Sequence, residues 1–250
     1  MYVNFTKACK EWNITLSDEQ NKQFEDYFHL LVEWNEKMNL TAITDQEEVY
    51  LKHFLDSMSL ILAFDELEKV HGLNKEKLQK GEFSLIDVGT GAGFPGIPLK
   101  ILIPQSKIVL MDSLQKRVTF LEEVIRKLDL NNIEAVHARA EDLGKDSNYR
   151  EQFDLSVSRA VANLAGLSEY CLPFVKVGGA FVSYKSGKAK EELLAAKNAI
   201  FLLGGSTVGE KEFFLPGTDM SRNLIVIEKK QPTAKKYPRK AGLPTKSPLT

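Results

Sequence analysis

The segment FSLIDVGTGAGFPGIP, residues 83–98, constrains the chain most, because a short apolar run stops there against a glycine-dense turn. Phe83, Leu85, Ile86 and Val88 read as a buried strand. Gly89, Gly91, Gly93 and Gly96 then let the backbone turn sharply and come close to a ligand. A strand, a glycine loop and a helix form the adenosine-cofactor grip of α/β proteins. From Phe83 onward strands and helices alternate, as in a parallel sheet covered on both faces. The strand candidates are 83–88, 107–111, 133–138, 153–157, 180–184, 206–215 and 222–230. Val118, Leu121, Val124, Ile125 and Leu128 mark one intervening helix, and Leu164, Leu167, Tyr170 and Cys171 another.

GAGFPG, residues 91–96, satisfies the dinucleotide fingerprint, and Asp112 falls where a ribose-binding acid belongs. A pyrophosphate, however, needs backbone donors at the helix start and no nearby anion. Pro95 and Pro98 each remove a donor, and Asp87 adds negative charge. A carboxylate beside the loop suits a cationic ligand such as S-adenosylmethionine, whose ribose Asp112 would hold. A nicotinamide dinucleotide is the alternative ligand at this point.

The charge is unevenly distributed. Residues 229–250 hold seven Lys or Arg and no acid, which leaves 26 basic against 34 acidic residues in the first 228, a body near −8 with a basic tail. Such asymmetry points to a polyanionic partner. Pro232, Pro238, Pro244 and Pro248 argue for an extended tail that orders on its partner. Cys9 and Cys171 lie far apart, and His29, His53, His71 and His137 are scattered, so neither a zinc site nor a disulfide framework is expected. The start lacks the features of a signal peptide, and the longest apolar stretch, near Leu60 to Phe64, is too short to span a bilayer. A cytoplasmic protein is expected.

Before the glycine loop the pattern is helical. Ser17 and Gln20 form a capping box, and Phe24, Tyr27, Phe28, Leu31, Trp34 and Met38 make one apolar stripe. A second helix is predicted from Thr44 with Glu47 three residues on, its inner face carrying Leu51, Phe54, Leu55, Met58 and Ile61. His53 and Asp56 sit one turn apart on it and read as a structural pair. The expected organisation is a helical cap over 1–66, a Rossmann-like domain over 67–230 and a basic tail over 231–250.

Ligands of open α/β sheets bind beyond the carboxyl ends of the strands. That rule nominates the glycine loop, Asp112 with Ser113, Ala140 with Glu141, and Ser158 with Arg159. The loop after the fourth strand reads SRAVAN, without the acceptor, Pro-Pro and aromatic common in methylases of exocyclic amines. Neither cysteine lies in a loop suited to covalent addition at a pyrimidine. A nitrogen with its own lone pair, such as guanine N7, needs neither device. Positioning alone supplies up to roughly 7–11 kcal/mol, and no general base is expected. Lys185 and Arg159 are the cations best placed to hold a nucleotide phosphate or base edge.

The chain resembles the bacterial small-subunit ribosomal RNA methyltransferase G family, also known as glucose-inhibited division protein B. The resemblance rests on EWNEKMNLTAIT at 33–44, KHFLDS at 52–57, DVGTGAGFPGIPLKI at 87–101, DSLQKRVTFLEE at 112–123, RAE at 139–141, SRAVA at 158–162 and KKYPRKAGLPTKSPL at 235–249. It implies a class I S-adenosylmethionine-dependent methyltransferase fold, a mostly parallel seven-stranded sheet with its last strand antiparallel. It also implies N7 methylation of a guanosine in the 530 loop of 16S ribosomal RNA, using S-adenosylmethionine. A monomer acting on the RNA within the 30S subunit or an assembly intermediate is expected, with naked RNA left open as the substrate. Carried over by motif, Gly89, Phe94, Ala140, Glu141 and Arg159 would contact the cofactor, which reassigns Arg159 from RNA to cofactor. Gly91, Gly93, Asp112 and Ser113 join them from the loop reading, while Lys185, Lys235, Lys236, Arg239, Lys240 and Lys246 are the candidates for RNA phosphates. A non-catalytic RNA-binding factor that retains the fold is the remaining alternative.

Overall fold

A computed structural model describes residues 3–159, 162–187 and 189–249, so Ala160 and Val161 of the SRAVA motif and Thr250 of the tail lie outside the described residues. Seven strands form one sheet: β1 (Ser84–Val88), β2 (Lys107–Asp112), β3 (Ile133–His137), β4 (Phe153–Arg159), β5 (Val175–Lys185), β6 (Gly205–Phe214) and β7 (Ser221–Lys229). Their order is β3-β2-β1-β4-β5-β7-β6. The first five are parallel, and β7 runs antiparallel to both β5 and β6. All seven expected strands are present, β5 starting five residues earlier than the 180–184 pattern indicated.

Period-two alternation sorts the strand residues into two cores. Leu85, Leu110, Val157, Leu224 and Val226 face the N-terminal helices and the helices Gly96–Leu102 and Gln115–Lys127. Ile86, Val109, Ile225 and Ile227 face the helices Leu164–Cys171 and Ala189–Leu202. The Ser17 capping box is formed in full and starts the long helix Asp18–Met38. That helix is fastened to the helices that cover the sheet: Gln20 Nε2 donates to Ile101 O at 2.7 Å and Gln23 Nε2 to Leu128 O at 3.0 Å.

Two expectations about the helices change. The second helix is capped by Asp45, whose Oδ1 accepts from Glu48 N at 3.0 Å, one residue later than Thr44. It is also not a regular α-helix. A π-helical turn over Tyr50–Leu55 and a 3-10 stretch over Ser59–Ala63 interrupt it. Widening the turn lets Tyr50, Phe54 and Leu55 remain in the core while Lys52, His53 and Asp56 reach the cavity described below.

The tail departs further from expectation. It packs on the body and forms the short helix Leu243–Lys246. Thr233 and Tyr237 are buried. The Arg150 guanidinium donates to the carbonyls of Gly144, Tyr237 and Thr233. Pro244 does not prevent the helix because it occupies the first turn, where a missing N–H breaks no intrahelical bond. The extended tail ordered only by a partner is therefore corrected: its partners are this chain's own Arg150 guanidinium and the carboxylates of Glu141, Glu151 and Glu169.

Candidate active site

Strand order reverses between β1 and β4, and beyond their carboxyl ends lies a cavity of about 880 Å³. Small-ligand sites typically measure roughly 300–1,000 Å³, so there is room for a cofactor and part of a second molecule. One half of its wall comes from the loops after β1 and β2. The other comes from residues 40–56 and from the facing ends of β4, β5 and β7.

In the first half, Gly89 and Gly91 take left-handed φ values of 73° and 63°. The N–H groups of Gly89 and Thr90 both donate to Met111 O, and the buried Tyr27 hydroxyl donates to Ala92 O. The helical cap thus holds the loop from behind. A Cβ at Gly91 would meet no protein atom within 4 Å, so that side of the loop is open to a ligand. Asp112 accepts from Gly91 N at 3.0 Å and Leu114 N at 2.9 Å and pairs with Arg117 at 3.3 Å. A carboxylate so positioned beside an open glycine loop fits an adenosine-type cofactor.

Asp87 plays a different part from the one expected. It is fully buried, does not line the cavity, and uses Oδ2 to accept from Thr90 Oγ1 at 2.6 Å and Gly96 N at 2.8 Å. It fastens the loop to the following helix instead of facing a cationic ligand. Burial pushes its pKa up to about 7, against the lowering effect of those two hydrogen bonds.

The dinucleotide alternative fails on the donors. Gly93 N and Phe94 N bind Thr90 O, Gly96 N binds Asp87, Ile97 N binds Gly93 O and Leu99 N binds Pro95 O. Pro95 and Pro98 have none. No N–H between residues 93 and 99 is left for a pyrophosphate.

The second half is built on Asp56. Its Oδ2 pairs with Arg159 at 3.0 Å and its Oδ1 with Arg222 at 3.2 Å, which joins the helical cap, β4 and β7. Arg159 also donates to Lys52 O and His53 Nδ1 and lies 5.1 Å from the centre of the Phe94 ring, on which His53 stacks at 4.6 Å. Burial first, then the Arg159 charge, lowers the His53 pKa to about 4, so the imidazole is neutral near pH 7.

Of the expected cofactor contacts, Gly89, Gly91, Phe94, Asp112, Ser113 and Arg159 line this cavity. Gly93, Ala140 and Glu141 do not. The space beside Gly93 is filled by Ile97 and the Tyr27 hydroxyl, so this glycine serves packing. Ala140 opens a short helix after β3, and Glu141 turns its carboxylate to Gly242 N of the tail at 2.8 Å. Among the RNA candidates, Lys185 reaches the cavity but is paired with Glu192 at 2.7 Å. Arg239 is withdrawn from phosphate binding by Glu169, a buried carboxylate it grips at 2.7 Å. Lys235, Lys236, Lys240 and Lys246 are exposed on the packed tail. Thr41, Lys52, Arg222 and Asn223 were missed, and His53 with Asp56 was read as scaffold alone.

The glycines separate packing from binding. Gly91→Ala should fold with a modest penalty of about 1–2 kcal/mol for the left-handed backbone while its methyl enters the cofactor half. Gly96→Ala, whose Cβ would overlap Leu110, should lose about 1–3 kcal/mol of stability. Calorimetry with S-adenosylhomocysteine should show weakened binding for the folded Gly91 variant, and a melting curve should show the larger loss for Gly96→Ala.

This sheet order, with an adenosine-type grip at the switch point, defines a class I methyltransferase fold. YcgJ of Bacillus subtilis shares it at a TM-score of 0.51 and 11% identity, over 72% of this chain and 100% of that one. The [4+2]-cyclase SpnF shares it at 0.50 and 13% identity, over 72% of this chain and 82% of its own, and its name shows that the fold alone does not set the reaction. Sequence comparison is more specific. The family model described as rRNA small subunit methyltransferase G matches residues 20–215. Proteins named ribosomal RNA small subunit methyltransferase G are 53% identical in Acetivibrio thermocellus over 98% of this chain and 95% of theirs, and 51% identical in Alkaliphilus metalliredigens over 97% and 96%. The chain belongs to the rRNA small subunit methyltransferase G family.

Proposed function

We propose that the protein transfers a methyl group from S-adenosylmethionine to N7 of a guanosine in the 530 loop of 16S ribosomal RNA, acting in the cytoplasm as a monomer on the 30S subunit or an assembly intermediate. The bound cofactor supplies a methyl group made electrophilic by its sulfonium. Asp112, Gly89 and Gly91 hold its adenosine end, and Phe94 with Arg159 walls the cavity where the two halves meet.

The observation that carries this reading is a cation-rich wall on which no described residue is free to take a proton. Among the described residues five cations, Lys52, Arg117, Arg159, Lys185 and Arg222, line the cavity against three carboxylates, Asp56, Asp112 and Glu192. Each of those carboxylates is ion-paired, and His53 Nδ1 already accepts from Arg159. A nitrogen that carries no proton is the acceptor such a site can serve. The surplus of positive charge draws in a polyanion. Among the described residues no helix is long and apolar enough to cross a membrane.

Mapping N7-methylguanosine in 16S ribosomal RNA from cells with and without the protein tests the reaction. The mark should vanish from the 530 loop in its absence. With purified 30S particles, methyl transfer should weaken steeply as salt rises. A mark that persists without the protein would overturn the assignment.

A further inference from the structure

N7 methylation cannot by itself select guanine. Adenine carries N7 in the same place, and on that edge the two purines differ at position 6, where guanine presents an acceptor and adenine an amino donor. A site that methylates one and spares the other must read position 6 or the far edge of the base. A hydroxyl is normally a poor reader, since it can rotate to donate or to accept.

The Thr41 hydroxyl has lost that freedom. Lys52 O also faces the His53 ring, but it already accepts from Arg159 Nη1 at 3.0 Å, and a guanidinium only donates, so the Arg159 Nη2 contact at 3.3 Å favours Nδ1 as the acceptor and places the ring proton on Nε2. His53 Nε2–H therefore donates to Thr41 Oγ1 at 2.8 Å. Ile43 N donates to the same oxygen at 3.0 Å, and Thr41 N is anchored on Asn35 Oδ1 at 2.9 Å. Both lone pairs of the oxygen are occupied. What the hydroxyl has left is its proton, and no described protein group accepts it.

Thr41 comes from residues 40–56, not from the loops after β1 and β2, and lines the cavity against His53, whose ring stacks on Phe94 where the two halves meet. The cationic side chains that share this wall are each drawn to a carboxylate: Lys52 to Glu48, Arg159 and Arg222 to Asp56, and Lys185 to Glu192. We infer that Thr41 is a specificity-determining residue, a hydroxyl locked as donor by His53 and Ile43 that hydrogen-bonds O6 of the target guanine and cannot accept from the amino group of adenine. The inference rests on the N7-methyltransferase reading above. Rejection is built in, because an amine at position 6 would meet an oxygen with no lone pair to offer.

The test is a cycle of variants and bases. Methyl transfer is measured on 30S particles whose 16S ribosomal RNA carries either guanosine or 2,6-diaminopurine at the target, which exchanges O6 for an amine and keeps N7. The wild type should prefer guanosine by about 10- to 100-fold in kcat/KM on this contact. Thr41→Val should shrink that preference by about 10-fold or more, with S-adenosylhomocysteine affinity unchanged, and Thr41→Ser should restore it. His53→Phe, which keeps a ring on Phe94 but frees one lone pair of Thr41, should also relax the preference, and it decides the matter if the valine variant fails to bind cofactor. Equal losses on both bases, or an unchanged preference in Thr41→Val and His53→Phe, would overturn the inference while leaving the reaction intact. Absence of transfer to guanosine by the wild type would overturn the reaction, and the inference with it.

Discussion

Asp56→Ala is expected to lower the melting temperature by about 6–20 °C and to reduce methyl transfer by about 100-fold or more. The stability figure follows from breaking a buried ion pair, about 3–5 kcal/mol when one partner is removed, at about 2–4 °C per kcal/mol for a domain near this size. Here the loss strands two cations. The Asp56 side chain is 8% exposed and those of Arg159 and Arg222 only 14% and 20%. Without the carboxylate, two half-buried guanidinium groups confront each other where the cap meets β4 and β7. The activity loss has a separate origin. Arg159 is held over Phe94 by Asp56, His53 and Lys52 O, and a guanidinium repelled from Arg222 leaves that place. A double variant, Asp56→Ala with Arg222→Ala, should recover part of the stability by removing the repulsion and little of the activity. A melting temperature within a degree of the wild type would show that the network carries no such load.

The sheet, the glycine loop and Asp112 were legible because each is written in contiguous residues: period-two apolar runs, glycines at left-handed positions, an acid at a strand end. The cation-rich half was not, because it is assembled by register. The rule that sites lie beyond carboxyl ends of strands finds Arg159 and Lys185, yet it passes over Arg222 and Asn223. Since β7 is antiparallel, its start lies at that rim, with Asn223 opposite Lys185. An expected antiparallel last strand was the signal that could have nominated them. His53 and Asp56, one turn apart, looked like a local helix pair, and nothing in their spacing announces an arginine more than a hundred residues away. A π-helical turn, which aims them together, leaves no mark in the apolar pattern. The tail was misread for a related reason. Its composition resembles disorder, while one of the features that order it, beside Arg150 and Glu141, is a single acid, Glu169, within the mostly apolar helix LAGLSEYC. A carboxylate committed to a buried face requires a cation from somewhere, and the basic tail is where it lies.

That cation sets the second large effect. Glu169 is completely buried, and Arg239 meets both of its oxygens through Nε and Nη2 while donating its backbone N–H to Oε1 at 2.7 Å. Arg239→Ala should therefore destabilise the protein by about 3–5 kcal/mol, because the carboxylate is left without its partner in a site that water does not reach. Ending the chain at Lys230 should do more, since it also removes the carbonyls that satisfy Arg150 and the Gly242 N–H that holds Glu141. An electrostatic tail serving RNA alone would give another result, weaker RNA binding with an unchanged melting curve. Two further variants separate these cases. Glu169→Leu combined with Arg239→Leu replaces the pair by apolar volume and should recover most of the stability lost by Arg239→Ala, as buried pairs exchanged for hydrophobic contacts commonly do. Lys235→Ala with Lys236→Ala, on exposed positions, should leave melting unchanged and reduce only the salt-dependent part of RNA affinity. If Arg239→Ala melted like the wild type and lost RNA affinity in the same measure as the lysine pair, the tail would be a ligand arm and not a strap on the fold.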